Sequence, residues 1–406
     1  MESCRAQLKP EEADVVRATL PLIGANIEKI TTNFYGTLFE ENPSLLNDLF
    51  NRGNQKQGAQ QRALAGSIAK FASLLVAPAE NMPADLLSRI GHKHAVLGIV
   101  EDHYPIVYKY LFGAIVHVLG ADVVTADVAA AWTSVFWILA NVLITFEKEL
   151  YKGAGVQPGK VFRQAKVVDR DDRSANIVSF TVESTDAFNP FPKHLAGQYV
   201  SVVSSLPDGA RQIRQYSLMD ACENPGQLRF AVKALQAQKD APAGEVSNWL
   251  AKEVKVGTEL AVSLPFGDLI LDTESQRPVV LISSGIGITP MFGMLARFVA
   301  DRSSRKIVAI HCDQDMDGDA FYKERLHMVS QLSSGEAMTW HSVGEVTKDV
   351  KVGRMDIASL TLPTDAQFYI CGGTNFLKSI CDGLRKIHVP EEDLHFELFT
   401  PNDWLL

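Results

Sequence analysis

Cysteine is scarce in this chain and follows no pattern. Five residues, Cys4, Cys222, Cys312, Cys371 and Cys381, are spread over 406 positions, an odd number with no C-x-x-C pair. That excludes a disulfide framework and a zinc ribbon. There is no cluster of lysine and arginine, and the net charge is −9; no nucleic-acid partner is expected. The most apolar run, Trp132 to Ile144, is too short to span a bilayer and already contains Thr133, Ser134 and Asn141, so no stable membrane association is expected. Met1-Glu2-Ser3-Cys4 does not start a signal peptide, which points to a cytoplasmic protein. Low-complexity tracts and internal repeats are also missing. What is present is ordinary globular composition, 46% hydrophobic and 21% charged, in a chain long enough for two or three domains.

Arg214-Gln215-Tyr216-Ser217-Leu218 reads as a strand. Alternation places Arg214 and Tyr216 on one face. A guanidinium beside a phenol suits a ligand with a pyrophosphate and a flat ring. Further on, the apolar strand Val279-Val280-Leu281-Ile282 runs into Ser283-Ser284-Gly285-Ile286-Gly287-Ile288-Thr289-Pro290-Met291. Gly285 and Gly287 let backbone approach a pyrophosphate, and Thr289 can cap the helix that Pro290 opens. Together the two stretches resemble the ferredoxin–NADP⁺ reductase family of flavoenzymes. The resemblance implies that Arg214, Gln215, Tyr216 and Ser217 hold FAD. It also implies that Gly285, Ile286, Gly287, Ile288, Thr289 and Pro290 receive the nicotinamide dinucleotide.

Before residue 152 the apolar period is near 3.6. Ile27, Ile30, Phe34 and Leu38 form one stripe; Pro43 opens a short helix through Leu45, Leu46 and Leu49; further helices are predicted over 60–76, 84–97, 104–119 and 126–151. About six or seven helices make an all-α domain, a bundle or a globin. His94 follows Leu86 and Ile90 on one helical face and points inward. His92 and His103 are off that face and are expected in solvent. Phe50 to Gln60 reads as a polar connection.

These residues and the order of the parts resemble the flavohaemoglobins, a globin followed by a reductase, over essentially the whole chain. The resemblance implies a multidomain fold: an all-α globin over 1–152, an antiparallel Greek-key β-barrel for FAD over 153–270, and an α/β parallel-sheet nucleotide-binding domain over 271–406. It makes His94 the proximal haem-iron ligand, with Phe50 packing on the haem and Lys93 near its edge. Tyr35, Gln60 and Leu64 match the distal group that contacts dioxygen, and Tyr104 and Glu147 the pair that hydrogen-bonds the proximal His. An imidazole whose second N–H is held by an acceptor donates more strongly to iron, which favours dioxygen activation. Glu147 lies one turn after Leu143 on an apolar face, so it needs a partner. With no C-x-x-C-H in the chain, the haem is expected to be haem b, not covalently attached.

Tyr151 to Gly159 is a Gly/Pro linker, made flexible by Gly153, Gly155 and Gly159. After it, six short runs of period two read as strands of a small barrel. Within it the resemblance assigns Tyr199 to the flavin, and Val246 and Ser247 to its pyrophosphate at a helix N-terminus. From 271 strands alternate with helices, a parallel sheet whose ligands bind beyond the carboxyl strand ends. There the resemblance places Cys371 and Gly372 beside the nicotinamide, although Gly373 stands where the family often has Pro. Glu397, Leu398 and Phe399, with Thr400 and Pro401 continuing the segment, match its flavin-side acidic and aromatic residues. Phe399 reads equally as core. Asp313, Asp315, Asp317 and Asp319 follow a strand end. Carboxylates there repel a 2′-phosphate and favour NADH, with NADPH as the alternative.

The implied activity is nitric oxide dioxygenase: NAD(P)H reduces FAD, FAD reduces haem iron, and dioxygen held there oxidises nitric oxide to nitrate. The resemblance also allows a lipid in the distal haem pocket. Two other readings stay open: an oxygen- or redox-sensing globin whose reductase keeps the haem ferrous, and an NADH-dependent flavin reductase of other acceptors.

Overall fold

The computed structural model describes residues 8–399, apart from 57, 78–83, 222–223, 225 and 238–241. Cys4, Cys222, Thr400, Pro401 and the side chain of Leu86 lie outside the described residues. The chain divides into two compact units. The first runs to Phe162 and takes in Ser205–Ile213; the second is Arg163–Ser204 together with Arg214 onward.

The first unit is helical: α1 (Pro10–Glu41), α2 (Pro43–Asp48), α3 (Arg52–Lys56), α4 (Ala59–Val76), α5 (Ala84–Leu97), α6 (His103–Leu119) and α7 (Ala126–Gly153). The predicted stripe is the core face of α1, with Ile30, Phe34 and Leu38 buried against Leu111 and Ile115 of α6 and Trp132 and Val135 of α7. Period 3.6 is thus satisfied by burial on one side. Two expectations are corrected here. The polar connection contains the short helix α3 and ends at Gly58, whose φ of +68° lets the chain turn left-handed into α4; Gln60 is in α4, as the helix predicted over 60–76 has it. By length and composition α7 is long and apolar enough to cross a membrane. Its residues Trp132, Val135, Ile138, Leu143 and Ile144 are buried in the helical core, which is how a core helix passes that test.

The linker also departs from expectation. Tyr151 and Val161 are fully buried, and the Tyr151 hydroxyl donates to the Ile99 carbonyl. A Cβ on Gly98 would lie 3.0 Å from the Gly159 carbonyl oxygen. Gly159 permits close packing onto the α5–α6 turn, whereas a Cβ on Gly153 or Gly155 would meet nothing within 4 Å.

In the barrel, β1 (Phe162–Ser174), β2 (Ile177–Ser184), β3 (Tyr199–Ser205), β4 (Arg211–Ser217), β5 (Gln227–Lys233) and β6 (Glu259–Ser263), with α8 (Glu245–Glu253), give the sheet order β4-β3-β6-β1-β2-β5. A bridge from Leu218 to Phe230 closes it. The return of β6 between β3 and β1 is the Greek-key crossing.

The last part follows the alternation: β7 (Val279–Ser284), α9 (Ile288–Ala300), β8 (Ile307–Asp313), α10 (Tyr322–Ser330), β9 (Gly335–His341), β10 (Val350–Val352), β11 (Gln367–Gly372), α11 (Thr374–Lys386) and β12 (Leu394–Leu398). The strands are parallel in the order β10-β9-β8-β7-β11-β12. β7, β8 and β11 are buried along nearly their whole length, so these strands read as continuous apolar runs.

Candidate functional site

His94 lies in the last turn of α5. Its Nδ1 is 2.7 Å from Glu147 Oε1 and 3.2 Å from the Tyr104 hydroxyl oxygen. The Tyr104 hydroxyl donates to the same Glu147 oxygen at 2.6 Å. Glu147 in α7 is buried, so its carboxylate can be kept only by such partners. Burial, reinforced by the Glu147 charge, holds the Tyr104 hydroxyl well above its ordinary pKa; it stays a donor. With a carboxylate at Nδ1, the proton is assigned to Nδ1, and Nε2 carries the lone pair that can bind a metal. Among the described residues no group of three or more His, Cys, Asp or Glu side chains could hold a metal ion. A single imidazole Nε2 fits a metal that arrives with its other ligands, as in a porphyrin.

Neither neighbouring histidine is in solvent. The His92 ring packs edge-on against Phe146, centroids 5.6 Å apart, and burial lowers its pKa to about 4. His103 Nδ1 accepts the Val100 N–H at 3.0 Å, just ahead of α6. Lys93 is half-buried.

On α1 and α4, Tyr35 and Gln60 are joined by a side-chain hydrogen bond; burial raises the Tyr35 pKa and that bond works against the rise. The Tyr35 ring stacks on Phe39 at 5.6 Å and meets Phe50 edge-on at 5.9 Å. Leu64 packs against the same core. The distal group that sequence reasoning named is therefore one cluster: a hydroxyl and an amide in an apolar wall.

In the barrel, Arg214 and Tyr216 are both half-buried, and the Arg214 charge acts on the Tyr216 hydroxyl, as one shared face requires. Burial, the larger cause, keeps that hydroxyl above its ordinary pKa. The Tyr216 ring stacks on Phe230 at 5.4 Å. Ser217 is buried, while Gln215 is exposed and donates to Ser201 Oγ at 3.1 Å. Tyr199 is buried beside Gly267, where a Cβ would come within 3.0 Å of its ring. Val246 and Ser247 occupy the first turn of α8, whose N–H groups have no intrahelical acceptor. The Ser247 hydroxyl is engaged locally, with the Leu235 N–H and the Gly244 carbonyl. Only its backbone remains for an anion.

The parallel sheet sets its motif residues in one row: Thr339, His311, Ser283, Cys371 and Glu397 are successive register partners across β9, β8, β7, β11 and β12. Gly285, Ile286 and Gly287 form a tight turn at the carboxyl end of β7, Gly285 with a φ of +54°. A Cβ on Gly287 would sit 2.5 Å from the Cys371 carbonyl oxygen, so the turn rests directly on the β11 end. Gly372 is equally confined, a Cβ there meeting Phe376 at 2.7 Å. Burial pushes the Cys371 thiol well above its ordinary pKa, so it is a packing group rather than a nucleophile. Leu398 is buried beside Glu397, whereas Phe399 is 46% exposed and is not core.

Thr289 and Pro290 differ from expectation. α9 begins at Ile288, and the Thr289 hydroxyl donates back to the Ile286 carbonyl at 3.0 Å instead of capping the helix. The aspartate run is divided as well. Asp319 is buried in a two-pronged pair with Arg325, 3.0 Å at each contact, and Asp315 accepts the Gly318 N–H. Asp313 stays ionised: burial opposes its charge, but His311, the Gln314 N–H and the Lys233 charge outweigh that and lower its pKa. Lys233 is a residue sequence reasoning missed. Its ammonium lies 3.9 Å from where a Cβ on Gly285 would be, a cation beside the turn expected to take phosphate. The signal was weak, a lone lysine at a strand end.

Residues 164–270 match the oxidoreductase FAD-binding domain family, and residues 281–382 the oxidoreductase NAD-binding domain family. A flavohemoprotein of Oceanobacillus iheyensis is 34% identical over 412 residues, covering 99% of this chain and 98% of its own. The crystal structure of a flavohemoglobin from Malassezia yamatoensis with bound FAD and heme is similar at a TM-score of 0.88 and 33% identity, over 97% of this chain and 100% of that one. The flavohem-like FAD/NAD binding domain of a nitric oxide dioxygenase from Vibrio cholerae O1 biovar El Tor is similar at a TM-score of 0.55 and 30% identity, over 59% of this chain and 98% of that one.

Proposed function

Because the chain belongs to the flavohaemoglobin family, and is thus an oxidoreductase joining a globin to a flavin- and nicotinamide-dependent reductase, we propose that it is a nitric oxide dioxygenase. It oxidises nitric oxide to nitrate with dioxygen and NADH. We assign residues 1–152 to haem b, 153–270 to FAD and 271–406 to the dinucleotide. When bound, FAD supplies the conversion of a hydride into single electrons, and haem b supplies the iron at which dioxygen and nitric oxide meet.

The observation that carries the reading is the His94–Glu147–Tyr104 arrangement. Glu147 holds the Nδ1 proton of His94 in place and strengthens Nε2 as a donor, which suits the activation of dioxygen. Tyr104 shares the carboxylate and fixes its rotamer. Across the pocket, Tyr35 presents a hydroxyl that Gln60 orients, while Phe50, Phe39 and Leu64 keep water out. In the reductase, Arg214 and the first turn of α8 hold pyrophosphate oxygens, and Tyr216 and Phe399 border a flat ring. Ser217, Cys371 and Glu397 face the region where a hydride would be exchanged. The Gly285–Gly287 turn and Lys233 hold the second pyrophosphate, and ionised Asp313 disfavours a 2′-phosphate.

Steady-state NADH consumption, measured with and without nitric oxide, tests this reading. A large stimulation with nitrate as the nitrogen product supports dioxygenation. NADH use that ignores nitric oxide contradicts it.

A further inference from the structure

Gln212 stands on β4, two positions before Arg214, and is fully buried. Its amide Nε2 lies 3.1, 3.0 and 3.2 Å from the carbonyl oxygens of Leu46, Asn47 and Phe50. Its Oε1 accepts the Arg52 N–H at 3.2 Å. Leu46 and Asn47 belong to the end of α2, and Arg52 opens α3. Carbonyls at the end of one helix and N–H groups at the start of the next have no partner in their own helix. A single side-chain amide therefore caps both.

These helices depend on outside support. α2 has six residues and α3 five, and neither buries a side chain completely. Helices this short do not persist by hydrogen bonding alone. Two contacts flank the amide: the Arg52 guanidinium pairs with Asp208 at 2.7 Å, and Arg211 donates to the Asp48 carbonyl at 3.3 Å. Phe50 lies between α2 and α3, and its ring touches Phe39 at 5.2 Å and Tyr35 at 5.9 Å.

We infer that Gln212 is a positioning residue of the oxygen-side pocket, holding the α2–α3 turn so that Phe50 stays packed on Tyr35. The inference rests on the reading of that pocket as the haem site. Gln212 touches none of the reacting groups. It acts through the backbone of Phe50, and Phe50 fixes the ring whose hydroxyl faces dioxygen.

The test uses the full chain loaded with haem and FAD. Gln212→Met removes the amide at nearly constant volume. Gln212→Glu keeps an acceptor for the Arg52 N–H and sets an oxygen against three carbonyls, so it decides the matter if the first variant does not fold. The readouts are the dioxygen dissociation rate and the C–O stretching band of carbon monoxide as a probe of the pocket. Both variants should release dioxygen faster, on the order of fivefold, the size of a modest coupling between contacting residues. The C–O band should shift or broaden, while FAD content and flavin reduction by NADH stay as in wild type. In a Tyr35→Phe background the added effect should largely vanish. Wild-type rates and band in both variants, or effects that add in full to Tyr35→Phe, would overturn the inference. A wild-type protein that takes up no haem overturns the underlying reading instead, and the wild-type spectrum separates that failure from this one.

Discussion

A buried carboxylate is costly unless it is partnered, and Glu147 has two partners on one oxygen. That makes it the side chain with the most to reveal about the haem reading. Glu147→Gln keeps the shape but replaces the charge that holds the His94 proton. The variant should retain haem while nitric oxide turnover drops roughly ten- to a hundredfold, the usual cost of losing an outer-shell partner. Turnover equal to wild type at equal haem content would show that the arrangement serves packing alone. His92 offers a separate check on burial. Its pKa falls from 6.5 to about 4 in the folded chain, so between those values the unfolded chain binds more protons than the folded one. Its stabilising contribution is therefore complete above pH 6.5 and is lost as pH falls toward 4. The thermal midpoint of the helical signal should decline across that window, and His92→Gln should remove part of the decline. An unchanged pH profile in the variant would mean that His92 is not desolvated.

Among the elements, the tightest constraint is the turn between β7 and α9. Gly287 leaves no room for a Cβ against the Cys371 carbonyl and the Gly372 amide. Gly287→Ala should push the turn off the β11 end, at a cost of about 1–3 kcal/mol typical of overpacking. The expected signature is a raised KM for NADH with FAD content unchanged; a normal KM would place the dinucleotide elsewhere. Periodicity made most elements readable, since the stripe of α1 and the apolar strands of the parallel sheet are each set by local pattern and burial. Two of the corrections depend on a partner far along the chain: His92 is covered by Phe146 and Gly159 by Gly98. Others are local, as with the Thr289 bond to the Ile286 carbonyl and the Asp319 pair with Arg325. Composition could not tell a packed glycine from a flexible one. The α2–α3 turn is the extreme case, because its caps come from Gln212.

For the molecule as a whole, the order of motifs was more legible than their settings. R-x-Y-S followed by G-x-G-x-T-P, after a helical region with one inward histidine, was enough to point to haem, FAD and a nicotinamide dinucleotide as the cofactors. The chemistry that ties them was partly hidden. Lys233 beside Gly285 and the exposed ring of Phe399 emerge only once β5, β7 and β12 are folded. The central claim is a single electron line, from dinucleotide to flavin to haem iron. The most direct measurement is stopped-flow absorbance of the haem- and FAD-loaded chain mixed with NADH without oxygen, following the flavin and haem bands separately. The account predicts that the flavin band bleaches first, at a rate set by NADH, that the haem band follows, and that removing FAD abolishes the second change. Haem reduction that proceeds as fast without FAD as with it would contradict the account.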